Sequence, residues 1–565
     1  MTDHRLPLRA AWTLAVFAWA IGSTPAVGSE SSPGGSKCDA TLRVGNNGPT
    51  KVIVRTVPGS RPAVVNRLQQ QRYPVVSQSD LIDAVSTVVD AAGLAGLDDD
   101  PAVVSISTDA AVFADSSPKL TSGPVTLLAT LALSSGGPTG RGVGVAVIDS
   151  GLVNNADFNH IRFFDFTGGG IHPYDDFGHG THVTGLIGSA GTLSRTPNGP
   201  LYQGVAPEAN IISLKVLDAN GTGATSTVIA AIEFAVTNRQ SLGIDVINLS
   251  LGHPILEPAA TDPLVQAVEA AVRSGIVVVV SAGNVGRSLV TGLPGYAGIL
   301  SPGNAPSAIT VGALDTNNSV TPIDDAVPSY SSRGPTFYDG LAKPDLVAPG
   351  QDLISDAAPG STLFTQFPDR QVTTRPGGPS QYFRLSGTSM SAAVTSGTVA
   401  LLLQVARDAD QTLTPNLVKA ILEYTALPLP QYDALTQGRG AVDPAGAIRL
   451  LQAIDPSAPI GSWWIASPVQ PVTILGGVAQ TWSQTVVWGN TVVSGNILGI
   501  HEPAWDAAGW GDPLVWGTAD DFDGTVVWGN FENDVDGTVV WGNCVVWGNT
   551  VVWGNIVDAD FVTLP

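Results

Sequence analysis

Apolar and polar positions follow three rhythms along this chain, and each predicts a different kind of structure. Between Thr50 and Ala111, residues 51–55 (Lys-Val-Ile-Val-Arg) alternate as a strand does, residues 80–92 repeat with helical spacing, and residues 102–107 alternate again. That pattern predicts a small α+β unit. From Val143 onward the texture changes to short β-branched runs that are apolar on both faces: 143–148, 210–216, 245–250, 276–281 and 308–311. Between them stand amphipathic helical patterns, one carrying Val228, Ile232 and Ala235, the other Leu264, Val265, Val268 and Val272. Wholly apolar strands separated by such helices predict an α/β fold, a doubly wound parallel sheet covered on both faces. A site in such a sheet lies beyond the carboxyl ends of the strands, and Asp149, Ser250 and Asn284 stand at or just past such ends.

The third rhythm begins after Ala453, where helical texture stops. Residues 456–480 read as a linker rich in Pro, Ser and Trp. A repeat follows, Val486-Val487-Trp488-Gly489-Asn490, recurring at Trp528, Trp541, Trp547 and Trp553 with a local period of six residues. In a strand the first Val and the Trp of each copy share a face, and Gly-Asn offers a turn. A stacked β-solenoid or a set of short hairpins both satisfy this β-rich repeat region, since one copy alone cannot bury its apolar face.

Composition adds little to the fold and more to the setting. At 565 residues with net charge −22, the chain should hold more than one domain and does not suit nucleic acid as a partner. Arg5 and Arg9, the apolar run 10–22 and the small residues Ala26-Val27-Gly28 read as a secretory signal, so the protein is expected to be secreted. The run is too short for a comfortable membrane span, and no later segment is long and apolar enough, so no span is expected in the mature chain. Cys38 and Cys544 are the two cysteines, and the sequence does not decide whether they pair.

Three short segments carry chemistry: Val147-Ile148-Asp149-Ser150-Gly151, Gly178-His179-Gly180-Thr181-His182, and Gly387-Thr388-Ser389-Met390. Each sets an acid, an imidazole or a hydroxyl beside glycine and small residues, the parts of a nucleophilic hydrolase. Singly they are commonplace: Asp149 could cap a turn and Ser389 could cap the apolar helix that follows it. In the order Asp, His, Ser, and with their flanks, they resemble the subtilisin-like serine peptidases over roughly residues 141–453.

The resemblance implies roles. Ser389 would be the nucleophile, His179 the general base and Asp149 the residue that orients the imidazole. Asn284, in Ser281-Ala282-Gly283-Asn284, matches the family's oxyanion asparagine. Ser250-Leu251-Gly252 and Ser281-Ala282-Gly283 match the walls of the primary specificity pocket, and Gly221 and Gly223 a strand that pairs with substrate. Ser301-Pro302-Gly303 looks like the family's cis-proline segment, with Leu300 at the pocket base. No acid occupies these positions, which favours an uncharged residue on the acyl side of the cleaved bond. His182 reads as a structural hydrogen-bonder, because its spacing from His179 is not that of a zinc helix.

The chain departs from the family at Ala393, where proline is usual, and before Gly204 it lacks the family's calcium-loop pattern. Asp534-Val535-Asp536-Gly537 begins like a calcium loop but lacks the downstream Glu, so a structural calcium is unsupported and no metal or cofactor is expected for catalysis.

The resulting expectation is a signal peptide (1–28), a flexible leader (29–49), a propeptide inhibitor-like domain (50–115), a peptidase domain (116–455), a linker (456–480) and a separate repeat region (481–565). Its function would be that of a secreted serine endopeptidase acting on proteins or peptides, made as a zymogen inhibited by its own propeptide. The competing reading is a cell-surface or polysaccharide-binding protein whose Trp residues stack on sugars, with an inactive or accessory peptidase domain.

Overall fold

The computed structural model describes most of residues 36–494 and two short strands, Val545–Trp547 and Thr550–Val552. Within that span, 44–47, 115–126, 134–135, 288–292, 460–463, 489–490, 198 and 376 lie outside the described residues. So do the expected signal peptide, Cys544, residues 534–537, and the copies at Trp528, Trp541 and Trp553.

The N-terminal unit is an antiparallel sheet of β1 (Thr50–Thr56), β2 (Val75–Ser79), β3 (Ala84–Val89) and β4 (Val103–Thr108), in the order β2-β3-β1-β4. Two helices, Arg61–Gln70 and Ala91–Asp98, cover one face around a separate core that includes Val52, Val54, Val64, Leu68 and Ile106. The helical reading of 80–92 is corrected here. Its apolar residues fall at helical intervals because β3 is a strand buried on both faces, so no polar alternation marks it. Val85, Thr87, Val88 and Val89 are β-branched, and β3 pairs with both β1 and β2. After β4 the chain runs as β5 (Ala111–Ala114) into the larger unit.

That unit is built on seven parallel strands: β6 (Gly144–Asp149), β7 (Ile161–Asp165), β8 (Asn210–Lys215), β10 (Ile244–Leu249), β12 (Val277–Ser281), β14 (Ile309–Leu314) and β15 (Leu346–Pro349). Their order is β15-β14-β12-β10-β6-β8-β7, with the direction of growth reversing about β6. Alternation along each strand feeds two cores. Val145 and Val147 face the layer holding the helices His179–Gly188 and Thr388–Asp408, while Ala146 and Ile148 face that of Thr225–Thr237 and Pro263–Arg273. The Thr388–Asp408 helix is long and apolar enough to cross a membrane but is buried in this core.

A smaller antiparallel sheet lies along one side. It joins β5 to β9 (Thr222–Ala224) and β11 (Leu251–Pro254), with β13 (Leu300–Ser301) beyond, in the order β13-β11-β5-β9. A three-stranded sheet of β16 (Leu353–Asp356), β17 (Gln371–Val372) and β18 (Tyr382–Leu385) leads into the long helix.

Residues 456–480 are not a bare linker, and the start of the repeat is not separate from the peptidase unit. The hairpin β19 (Val472–Leu475) and β20 (Val478–Thr481) packs on the Pro444–Ala453 helix. Trp464 and Trp482 are 1% and 2% exposed within the core around the long helix. The Trp482 indole donates to Thr473 Oγ1 at 2.9 Å and lies under the Arg449 guanidinium, 5.2 Å from its ring centroid. The first repeat strand, β21 (Thr485–Trp488), runs along the Pro415–Thr425 helix. There Gln484 N donates to Tyr424 O at 2.9 Å and Val487 N to Glu423 Oε2 at 2.5 Å.

β21 pairs with β22 (Thr491–Ser494) with Trp488 opposite Thr491, and β23 (Val545–Trp547) pairs with β24 (Thr550–Val552) with Trp547 opposite Thr550. Each pair leaves a two-residue connection, so one six-residue copy supplies one strand and one turn. Of the two arrangements open to the sequence, these described pairs are hairpins. Because Trp482 is enclosed, Trp482→Ala is expected to cost about 3–5 kcal/mol in chemical unfolding of the whole chain. A loss under about 1 kcal/mol would mean the segment is only apposed to the peptidase unit.

Candidate active site

β6 ends in Asp149, and its carboxylate turns back under the next loop, where water cannot reach it. The residue is 1% exposed, and a carboxylate so buried needs donors. Ser150 N donates to Oδ1 at 2.7 Å, and His179 Nδ1 stands 2.8 Å from Oδ1 and 3.0 Å from Oδ2. An ionised carboxylate only accepts, so Nδ1 carries the proton and the imidazole presents Nε2 away from Asp149.

His179 opens its helix after Gly178, which caps it at φ +100°, a conformation natural to glycine. A Cβ on Gly180 would stand 2.3 Å from Gly151 O, so the helix can lie this close to the end of β6 only without a side chain there. The turn is fastened by Asp175. Its carboxylate accepts Gly178 N (2.7 Å), Thr181 N (2.8 Å), Thr181 Oγ1 (2.7 Å) and Ser150 Oγ (2.9 Å), and Ser150 Oγ in turn accepts Gly180 N at 2.8 Å. Lys215, at the end of β8, adds a buried cation. Its ammonium donates to Ser150 O (2.6 Å), Leu217 O (2.7 Å) and Asp176 Oδ1 (2.6 Å). Sequence reasoning passed over Asp175 and Lys215. The only local signal was an acidic pair, Asp175-Asp176, just before the Gly-His-Gly segment.

His182 is separate from this chemistry. Its Nε2 donates to Leu353 O at 3.0 Å, and burial pushes its pKa down to about 3, so the ring is neutral. That arrangement is the structural hydrogen bond expected of it.

Ser389 lies in the first turn of the Thr388–Asp408 helix, where backbone N–H groups favour developing negative charge. Its Oγ donates to Ser250 O at 3.1 Å, while Ser250 Oγ donates to Ser389 O at 3.0 Å. Asn248 Nδ2 donates to Ser250 Oγ and Asn248 Oδ1 accepts Ser396 Oγ, each at 2.9 Å, so the end of β10 and the helix are stitched together. Asn284 Oδ1 accepts Thr388 N at 3.1 Å. A backbone N–H can only donate, so this contact fixes Oδ1 on the helix side and turns the Asn284 amide N–H the other way. Its Nδ2 is buried and has no hydrogen-bond partner among the described residues.

Of the residues expected to bind substrate, Leu251, Gly252, Gly221 and Gly223 are engaged with the chain's own β5. Phe113 stands opposite Gly252 on one side and Thr222 on the other, Ala114 opposite Leu251, and Val112 opposite Gly223, all antiparallel. Ala114 N donates to Gly221 O at 3.2 Å. Val112 is buried while Phe113 is half exposed, the alternation of a strand lying in a cleft. Ser281-Ala282-Gly283 continues from the end of β12, with Ala282 N bonded to Val311 O and Leu300 N to Ala282 O. The Ser301–Pro302 bond is cis. The Leu300 side chain stands against both Gly252 and Gly283: a Cβ on Gly252 would meet its Cβ at 3.2 Å, and one on Gly283 would meet its Cγ at 2.7 Å. Among the described residues no three His, Cys, Asp or Glu side chains converge as a metal site.

Residues 140–446, more than half of the chain, match the Peptidase S8 subtilase family. The serine protease AprX of Bacillus subtilis (strain 168) is 41% identical over 317 residues, covering 55% of this chain and 67% of AprX. Subtilisin E of the same organism is 34% identical over 356 residues, covering 62% of this chain and 77% of subtilisin E. Among solved structures, fervidolysin from Fervidobacterium pennivorans, a keratinolytic enzyme related to subtilisin, aligns with a TM-score of 0.55 at 21% identity. The alignment covers 76% of this chain but 64% of fervidolysin, less than two thirds, and at that identity it speaks for the fold alone. A parallel sheet with an Asp–His pair and a helix-borne serine at its carboxyl edge, together with sequence matches of this extent, makes the chain a member of the subtilase family of serine peptidases.

Proposed function

We propose that the protein is a secreted serine endopeptidase, made as a zymogen that cuts itself, with Ser389 as nucleophile, His179 as general base and Asp149 as the residue that orients the ring. Ser389 Oγ attacks the peptide carbonyl and its proton passes to His179 Nε2. The charge then forming on the imidazole is balanced by the buried Asp149, which keeps its own proton state. The tetrahedral oxygen meets Ser389 N–H at the helix start and the amide N–H of Asn284. Collapse expels the amine, which takes the proton from His179, and water repeats the cycle on the acyl-enzyme. Secretion rests on the basic, apolar and small-residue pattern of residues 1–28.

The observation that carries the reading is the seating of β5. The chain's own backbone lies antiparallel between β9 and β11, as an extended peptide substrate would, and β11 leads back to Ser250, whose carbonyl is 3.1 Å from Ser389 Oγ. Ala114, the last residue of β5, stands opposite Leu251, the neighbour of Ser250, so we place the bond to be cut beyond β5, before Gly136.

Three outcomes test this. N-terminal sequencing of the processed chain should return a single new terminus between residues 112 and 136; an active enzyme that keeps residues 50–111 covalently attached contradicts self-cleavage. Ser389→Ala should abolish hydrolysis of small peptides and leave the chain unprocessed, whereas turnover at the parental rate excludes Ser389. Asn284→Ala should lower kcat by about 10²–10³, a magnitude measured on subtilisin itself and carried over by homology.

Leu300 sets the preference. With its side chain between Gly252 and Gly283, the primary pocket suits small uncharged residues. Leu300→Gly should raise the ratio of kcat/KM for Phe over Ala on the acyl side by at least about tenfold. An unchanged ratio would place the pocket elsewhere.

A further inference from the structure

The N-terminal unit meets the peptidase unit along a loop that follows β11. Ala40 N donates to Leu256 O at 3.4 Å, and Arg55 Nη1 donates to Ala260 O at 3.3 Å. Between these contacts lies Glu257, 7% exposed, facing Ser107 on β4. No Lys, Arg or His among the described residues lies in ion-pair contact with it.

The groups around Glu257 come from both units. The N-terminal unit brings Asp39, Arg43 and Arg55; the peptidase unit brings Asp262 and Tyr338, with Asp339 beside Asp262. Three neighbouring acidic side chains are committed as acceptors. Asp39 Oδ1 takes Thr41 N at 2.8 Å and Leu42 N at 3.0 Å. Asp262 Oδ1 caps the Pro263–Arg273 helix through Leu264 N and Val265 N, and its Oδ2 accepts Ser301 Oγ at 2.7 Å. Asp339 Oδ2 accepts Ala259 N at 2.9 Å. The cations are committed too, Arg55 to Ala260 O and Arg43 Nε to Cys38 O at 2.7 Å. Glu257 is thus a buried carboxyl beside two other acidic side chains, with no cation in ion-pair contact among the described residues, and neutralising it is the cheapest way to close the contact.

We propose that the junction between the two units is a proton-gated clasp, in which Glu257 binds a proton as the N-terminal unit docks and releases it as that unit lifts away. The significance of the clasp as a control on the zymogen rests on the function proposed above; the clasp itself does not. Burial, reinforced by Asp262 and Asp39, holds the docked carboxyl up at about 7 against an ordinary 4.5. Lifting the N-terminal unit restores water and the ordinary value. The docked state therefore binds the extra proton. The clasp is strongest below about pH 4.5, weakens as pH rises toward 7, and does not change further above that. A shift of this size corresponds to a change in the docking constant on the order of a hundredfold. An enzyme precursor would stay closed in mildly acidic surroundings and open in neutral or alkaline ones.

Hydrogen exchange of the full-length Ser389→Ala chain, which keeps both units in one polypeptide, tests this between pH 4.5 and 8 with intrinsic exchange rates corrected. Amides of β4, β5 and the 255–262 loop should lose protection on the order of a hundredfold across that range, while β12 in the peptidase core stays constant. Adding Glu257→Gln, which is neutral at every pH, should flatten the profile in the protected form. Asp39→Asn, which removes one neighbouring charge, should keep the profile but lower its midpoint through the lost repulsion; a raised midpoint contradicts the proposal. A parent profile flat from pH 4.5 to 8, or an unchanged profile in Glu257→Gln, overturns the clasp. Failure of the zymogen reading shows separately, as absence of a new N-terminus in the unmodified chain, and leaves these exchange profiles untouched.

Discussion

The hydrogen bond between His179 Nδ1 and Asp149, 2.8 Å long and shut away from solvent, is the interaction on which the rest of this site depends. A buried carboxylate is tolerated only with donors close by, and here they come from two directions: the turn after β6 and the start of the following helix. Bringing that helix in requires the left-handed turn at Gly178, the bare backbone at Gly180 and the four donors gathered by Asp175. Lys215 then pins the carbonyl of Ser150 from the neighbouring strand. The pair is thus held by a network whose members each have a second reason to be where they are, which is how a site keeps its geometry without substrate.

The second half of the site is held from the other side of the sheet's carboxyl edge. Ser389 is tied through Ser250 to β10, and Thr388 through Asn284 and Gly283 to the turn after β12. Because β6, β10 and β12 are neighbours in one parallel sheet, the three turns converge without any long loop. The segments outside this sheet add enclosure. β5 occupies the cleft from the N-terminal side, and residues 472–488 close over the Pro415–Thr425 and Pro444–Ala453 helices from the C-terminal side.

Much of this was legible in the sequence, for reasons that also explain the gaps. The inner strands β6, β8, β10, β12 and β14 read correctly because strands buried on both faces appear as unbroken apolar runs. The two edge strands were passed over: β7 is only partly buried, and β15 is four residues ending in Pro349. In the N-terminal unit, β3 mimicked helical spacing because its polar residues, Ser86 and Thr87, are adjacent and buried, so no apolar–polar alternation marks the strand. The motifs around Asp149, His179 and Ser389 stood out because glycines and small residues must flank them. Asp175 and Lys215 did not, since an acid that accepts four hydrogen bonds looks in sequence like any surface acid. The prolines and tryptophans of 456–480 read as a linker because local composition cannot reveal that Trp464 and Trp482 fill a core made by distant helices.

The most direct measurement is to treat the full-length chain with a fluorophosphonate and locate the adduct by tandem mass spectrometry. The account predicts a single modified residue, Ser389, with labelling lost when His179 is replaced by Ala. Modification of a different serine, or peptide hydrolysis that continues while Ser389 remains unmodified under saturating reagent, would contradict it.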